Sequence, residues 1–164
     1  MAENQENQGQ TGDQPPQQIF QVQKLYLKDV SFESPNAPEV FREDWKPETN
    51  VQISTEAVQL AEGVHEVVLG VTVTTKSGDA TAYLVEVKQA GVFTLQGFEP
   101  QQLGHMLGSY CPNFLYPFVR EAVADLIVKG GFPGFLLAPV NFDALYAQHL
   151  QEQASQSGEP QTEH

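Results

Sequence analysis

The stretch that most limits what this chain can become is HEVVLGVTVTTKSGDATAYLVEVKQ, from His65 to Gln89. Val67, Leu69, Val71 and Val73 stand at every second position, Lys76 to Asp79 reads KSGD, and Tyr83, Val85 and Val87 resume the same period. A period of two puts such residues on one face of a strand, and a short glycine-containing connection joins strands that run antiparallel. The other face carries Leu84, Glu86 and Lys88, so the sheet is expected to be wet on one side. From Ile19 to Ser34 the chain alternates again, with Phe20, Val22, Tyr26, Val30 and Phe32 on one parity and Gln21, Gln23, Asp29 and Glu33 on the other. Leu25 and Leu27 fall on that second face. Val51 and Ile53 mark one more strand, and Gly91 predicts a bulge ahead of Phe93 and Leu95. Four strands with short connections predict an antiparallel sheet.

After Pro100 the period becomes helical. Gln101 to Leu107 reads as a short helix weakened by Gly108, and Asn113 to Lys129 as a long one that tolerates Pro117 only near its start. The apolar positions of the long helix include Phe114, Phe118, Val119, Ala122, Val123, Leu126, Ile127 and Val128, a stripe too wide for one sheet to cover. Its second side is therefore expected to meet another copy of the chain, through Phe118, Ala122, Val123, Leu126 and Ile127. A last helix is expected after Pro139, with Asn141 as its N-cap, Asp143 in its first turn, and Phe142, Leu145, Tyr146, His149 and Leu150 along one stripe. Sheet and helices together predict an α+β fold, with two main helices packed on one face of the sheet.

The ends depart from this pattern. Residues 1–18 hold six Gln, three acids and no base, and residues 151–164 add three more acids without Lys or Arg, so both read as disordered tails around a single domain at 19–150. The formal net charge is −13, and fifteen of the acids against all eight bases lie between the tails. Such a balance argues against nucleic acid and anionic membrane surfaces and favours basic partners. No basic and apolar leader opens the chain and no apolar run reaches membrane-spanning length, which predicts a protein that stays in the cytoplasm without inserting in a membrane.

Chemistry is sparse. No phosphate-binding glycine loop and no pair of Cys or His ligands at metal spacing occurs, so neither cofactor nor metal is expected. The single Cys111 lies six residues after His105 in SYCPNFLYPF. However, Pro112 removes the backbone donor after the thiol and no base stands nearby in sequence, so the cysteine reads as structural and the chain as no enzyme. Phe41 and Trp45, on the proline-bracketed segment PNAPEVFREDWKP, are open to two readings, core packing or binding.

Four stretches in order carry a resemblance: LKDVSFESPNAPEVFREDW, AYLVEVKQAGVF, HMLGSYCPNFLYPFVREAVADLIVKGGFP and LAPVNFDALY. Together, over about Ile19 to Gln151, the chain resembles the SecB family of protein-export chaperones. The resemblance implies an ATP-independent holdase that keeps unfolded secretory precursor proteins translocation-competent in the bacterial cytoplasm and hands them to the SecA motor ATPase. It implies a homotetramer, a dimer of dimers, with no cofactor. It further implies that the basic, zinc-binding tail of SecA meets an acidic sheet face at Asp29, Glu33, Leu84 and Glu86, and that clients lie in apolar grooves at Phe41, Trp45, Phe142, Leu145 and Tyr146. The competing reading is a docking adaptor of the same fold that binds one specific partner, such as a toxin–antitoxin component. Val85 stands where many members of the family have Cys, and GFLL at Gly134 departs from the usual pattern.

Overall fold

In the computed structural model, which describes residues 14–157, the alternating segments form β1 (Ile19–Glu33), β2 (Pro47–Ala61), β3 (Val64–Ser77) and β4 (Ala80–Gln96). They make one antiparallel sheet in the order β1-β4-β3-β2. Gly63 and Gly78, at φ 66° and 61°, make the tight turns on either side of β3, in the left-handed region that other residues avoid. Residues 34–46 carry the chain from β1 across to the far edge, with a short 3-10 turn at Glu39–Arg42.

The expected alternation of β1 holds at both ends and fails in the middle. Register shifts between Val22 and Lys24 and between Leu27 and Asp29 insert one residue each, at Gln23 and Lys28. The first bulge turns Leu25 onto the core with Phe20, Val22 and Phe32, and turns Tyr26 onto the opposite face, where its hydroxyl donates to Glu66 at 2.5 Å. The second bulge restores the original parity. The bulge expected at Gly91 is absent from β4. Gly91 instead leaves room for the Phe93 ring, which a Cβ there would meet at 2.6 Å, and the extra residue lies on the neighbouring strand.

The two helices expected at 101–107 and 113–129 are one continuous helical run. It comprises α1 (Pro100–His105), a π-helical turn (Met106–Tyr110) and α2 (Cys111–Lys129). Pro112 lacks an N–H, and in a regular helix its ring would press on the Gly108 carbonyl. The widened turn, closed by the Cys111 N–H on the Met106 carbonyl, carries the chain past it. Pro117 also sits inside α2, and both it and Asn113 are exposed, so the Asn113 carbonyl left without a partner has water available.

Cys111, Leu115, Val119, Val123 and Ile127, each four residues after the last, form the ridge that lies on β3 and β4, and all five are fully buried. This corrects the expected role of Val123 and Ile127. They belong to the core of the subunit and have no surface left for another copy. Phe118 remains 38% exposed, with Ala122 and Leu126 half-buried beside it.

The last helix, α3, spans Phe142–Ser157 and so runs seven residues beyond the expected domain end at 150. Intrahelical bonds such as the Gln148 side chain on Glu152 at 3.0 Å support residues that composition alone assigns to a tail. Residues 158–164, and 1–13 of the other tail, lie outside the described residues.

Candidate functional site

The acidic positions come together on the sheet face turned away from α2. Glu33 stands opposite Leu84, Ser31 opposite Glu86 and Asp29 opposite Lys88 across the β1–β4 ladder, so Asp29, Glu33, Leu84 and Glu86 share one patch. Glu86 has Ser31 on one side and Thr72 on the other, so no charged residue stands directly across either ladder from it. The patch is bounded by Lys88 and by a second group nearer the middle of the sheet. There Glu66 accepts from Lys28 at 2.7 Å as well as from Tyr26, which holds its carboxyl below the usual range, Lys28 first and Tyr26 next. The reciprocal effect of burial and of Glu66 pushes Tyr26 up to about 12.

The expected groove residues divide into two places. Phe41, 49% exposed, and Trp45 lie over Phe132, with ring centroids 4.9 and 5.7 Å away, and Phe132 itself is buried against Tyr83 at 4.9 Å. One side of each ring packs on Phe132 and the other faces water. Leu145 and Tyr146 instead line an open groove of about 500 Å³ between β2 and α3. Its floor and walls are Ile53, Thr55 and Ala57 from β2, Gly104, Leu107 and Gly108 from the helical run, and Leu150 farther along α3. Phe142 is a correction to its expected role. It closes the inner end of the groove but is buried, edge-on to Tyr116 at 5.5 Å, and so anchors α3 and offers little to a ligand.

Local sequence explains the groove. Gly104 and Gly108 are four apart on one side of the helical run, and Tyr146 fills the slot they leave, since a Cβ at Gly104 would stand 2.8 Å from its hydroxyl. Asn141 caps α3, accepting from the Ala144 N–H at 3.0 Å. Asp143 in the first turn accepts at the same oxygen from Ser109 at 2.5 Å and from His105 at 2.7 Å. These bonds, Ser109 first, hold its carboxyl below the usual range. Sequence reading missed Phe132, the glycine pair and Ser109. Only the glycine pair left a visible signal, as two small residues at helical spacing.

Ser, His and Asp in contact invite a catalytic reading, which the geometry refuses. A nucleophilic serine donates to a histidine that an acid orients, whereas Ser109 and His105 both spend their bonds on Asp143. Cys111 is buried and its thiol is pushed up to about 12 by desolvation, so little thiolate forms near neutrality. Among the described residues no cluster of three His, Cys, Asp or Glu side chains is arranged to hold a metal ion, and no helix is long and apolar enough to cross a membrane.

Known proteins give the context. Residues 13–153 match the family model described as preprotein translocase subunit SecB. A protein-export protein SecB of Nitrosococcus oceani is 59% identical over 157 residues, covering 94% of this chain and 95% of its own length. One from Methylococcus capsulatus is 55% identical over 92% of this chain and 97% of its own, and one from Marinobacter nauticus 49% over 99% of both. A solved SecB-like chaperone of Mycobacterium tuberculosis, in complex with an antitoxin peptide, is 14% identical with a TM-score of 0.61, covering 74% of this chain and 90% of its own. At that identity the likeness is one of fold.

Proposed function

The chain belongs to the SecB family, and from that premise we propose that it is an ATP-independent holdase that binds unfolded precursor proteins and keeps them fit for export by the Sec pathway. The observation that carries this reading is near-full-length identity of 49 to 59% to protein-export proteins of three bacteria. The geometry agrees with it. The groove beside β2 and α3 has an apolar floor and a polar rim of Gln148, His149, Glu152 and Gln153, and the exposed rings of Phe41 and Trp45 form a second apolar place. Several weak sites on one molecule hold a long unfolded chain by raising its effective concentration at each, and need no shaped pocket. Work of this kind requires no bond making, in keeping with a family of non-enzymatic chaperones.

Three finer statements complete the proposal. Clients leave to the SecA motor, whose basic tail meets Asp29, Glu33, Leu84 and Glu86 on the outer face of the sheet, and the encounter is steered by charge and weakened by salt. The subunits assemble as a dimer of dimers through the outer side of the helical run, where Tyr110, Phe114, Phe118 and Val128 stay exposed in the single chain and would otherwise leave an apolar strip in water. The work takes place in the cytoplasm, ahead of the translocon. The adaptor reading is the weaker one, because the structure solved with an antitoxin peptide is 14% identical whereas the export proteins reach 59%.

Light scattering after size exclusion tests the reading. The protein alone should run as a tetramer. Mixed without nucleotide with an unfolded secretory precursor, it should gain the precursor's mass, and an unrelated unfolded protein should compete. A tetramer that ignores unfolded chains would overturn the holdase reading and return the fold to an adaptor role.

A further inference from the structure

The groove has one wall whose support is confined to one end. Phe142 is the only buried residue of α3, and from Ala147 to Ser157 every side chain is exposed. Among the described residues, the ties of this helix to the rest of the subunit lie in its first turn and a half. They are Phe142 against Tyr116, Tyr146 over Gly104 and Gly108, and the two hydrogen bonds that Asp143 accepts from Ser109 and His105. Of these, only the bonds to Asp143 are directional, and Ser109 is itself buried, so its hydroxyl has no ready substitute in water. Tyr146 also meets the edge of the His105 ring at 5.9 Å, which places the second tie beside the first.

We infer that Asp143 is a positioning residue for client binding: through Ser109 and His105 it pins the base of α3 to the π-helical turn and so sets how far the outer wall of the groove stands from β2. The inference rests on the reading that this groove takes the unfolded chain. A wall fixed at its base and unsupported beyond it moves by pivoting there, and widening of the already open groove lets client segments enter and leave faster. Loss of the tie therefore speeds both steps. The π-helical turn has a purpose in this scheme beyond carrying the chain past Pro112, because it presents Ser109 to the same oxygen of Asp143 that His105 reaches from the end of α1.

Asp143 also sits near the N-terminus of α3, where a negative charge steadies a helix by itself, so the tie must be separated from the charge. Asp143→Ala removes both, Asp143→Asn removes the charge and keeps an accepting oxygen, and Ser109→Ala keeps the charge and removes one bond. Amide exchange of α3, measured on the full chain without client, should accelerate about tenfold or more in Asp143→Ala and several-fold in Ser109→Ala, with Asp143→Asn close to the parent and β3 and β4 unchanged in all. With reduced, carboxymethylated α-lactalbumin as the probe, association and dissociation should both quicken in the order that α3 exchange does. If Asp143→Asn behaves like Asp143→Ala, or if exchange of α3 stays at the parent level in Asp143→Ala and Ser109→Ala, the tie is not what holds the wall. Faster α3 exchange with unaltered probe kinetics would also overturn the inference. A parent protein that fails to bind the probe would instead overturn the holdase reading, and the role of the tie in client release with it.

Discussion

Replacing Phe132 should release the loop that carries Phe41 and Trp45. Phe132 is 5% exposed, and three aromatic rings, those of Phe41, Trp45 and Tyr83, have their centroids within 6 Å of its own. Truncation to Ala removes a buried ring and leaves a cavity, which costs about 3 to 5 kcal/mol. Phe132→Leu keeps most of the volume and loses the ring pairs. With two of the three partners half exposed, these belong at the low end of the range for aromatic contacts, about 1.5 kcal/mol in all. Urea unfolding at one protomer concentration measures both costs. Since Trp45 is the only tryptophan, its emission reports directly on the loop. It should shift to the red in Phe132→Ala before global unfolding begins. A cost under about 1 kcal/mol with unchanged emission would refute the argument. It would mean that the loop is held by its other ties, buried Val40 and the bonds from Ser34 to the Ala82 carbonyl and from Asn36 to the Thr81 carbonyl, each at 2.9 Å.

Glu86→Lys places a positive charge in the middle of the outer patch and should weaken transfer of a bound precursor to SecA severalfold, more so at low salt, while tetramer mass and probe binding stay the same. Loss of folding in this variant would show that the outer-face assignment is wrong. Ile127→Ala should lower subunit stability by about 2 to 5 kcal/mol. Phe118→Ala should leave the subunit nearly as stable and shift scattering mass toward dimers, and the reverse pattern would return Ile127 to an interface. His65 is buried with its Nδ1 unpartnered, and desolvation lowers its pKa from 6.5. As pH falls below that value the unfolded chain takes up a proton that the folded chain refuses. Stability should therefore decline with a slope of up to about 1.4 kcal/mol per pH unit until the folded pKa is reached, and His65→Gln should flatten the slope below pH 6.5 in parallel denaturant titrations.

The sheet was legible because valine alternation in β3 and β4 states a period of two, and the one register shift between these strands, at Ala82, lies beside their turn, outside the valine runs. In β1 two inserted residues cancel, so a reading by parity succeeds for Phe20 and Phe32 and for Asp29 and Glu33, and misplaces Leu25, Tyr26 and Leu27 between the bulges. The acidic patch was legible for the same reason, since its members lie outside the flipped segment. The helical run was not. Proline and glycine signal a break in any local reading, and a π-helical turn that absorbs Pro112 leaves no pattern of its own. The wide apolar stripe of α2 was visible, but which of its residues face the sheet depends on how the helix lies across β3 and β4. The ridge from Cys111 to Ile127 follows a spacing of four, which brings Val123 and Ile127 inward and leaves Phe118 and Val128 out. The groove needs residues from β2, the π-helical turn and α3, and no single window of sequence holds them.

β2 shows why a chaperone of this kind tolerates a feature that most folds suppress. It is fifteen residues long, lies at the edge of the sheet, and is exposed along its whole length except at Ile53. Its helix-facing residues are Val51, Ile53, Thr55 and Ala57, of which Ile53 alone is partly buried against the core, and the buried ridge of α2 packs on β3 and β4. An edge like this presents backbone donors and acceptors that another extended chain can pair with, which is ordinarily a route to aggregation. Beside the groove proposed for unfolded chains the same feature would be useful, because backbone pairing is available to every client whatever its sequence, and side-chain pockets would then need to add only weak preferences. The charge of the chain limits the hazard. With a net charge of −13, two copies of this protein repel each other at an edge that an unfolded segment rich in Lys or Arg would approach freely. On that proposal, selectivity for non-native chains follows from what is left open, one strand edge and one loosely supported wall, more than from any group that recognises a particular residue.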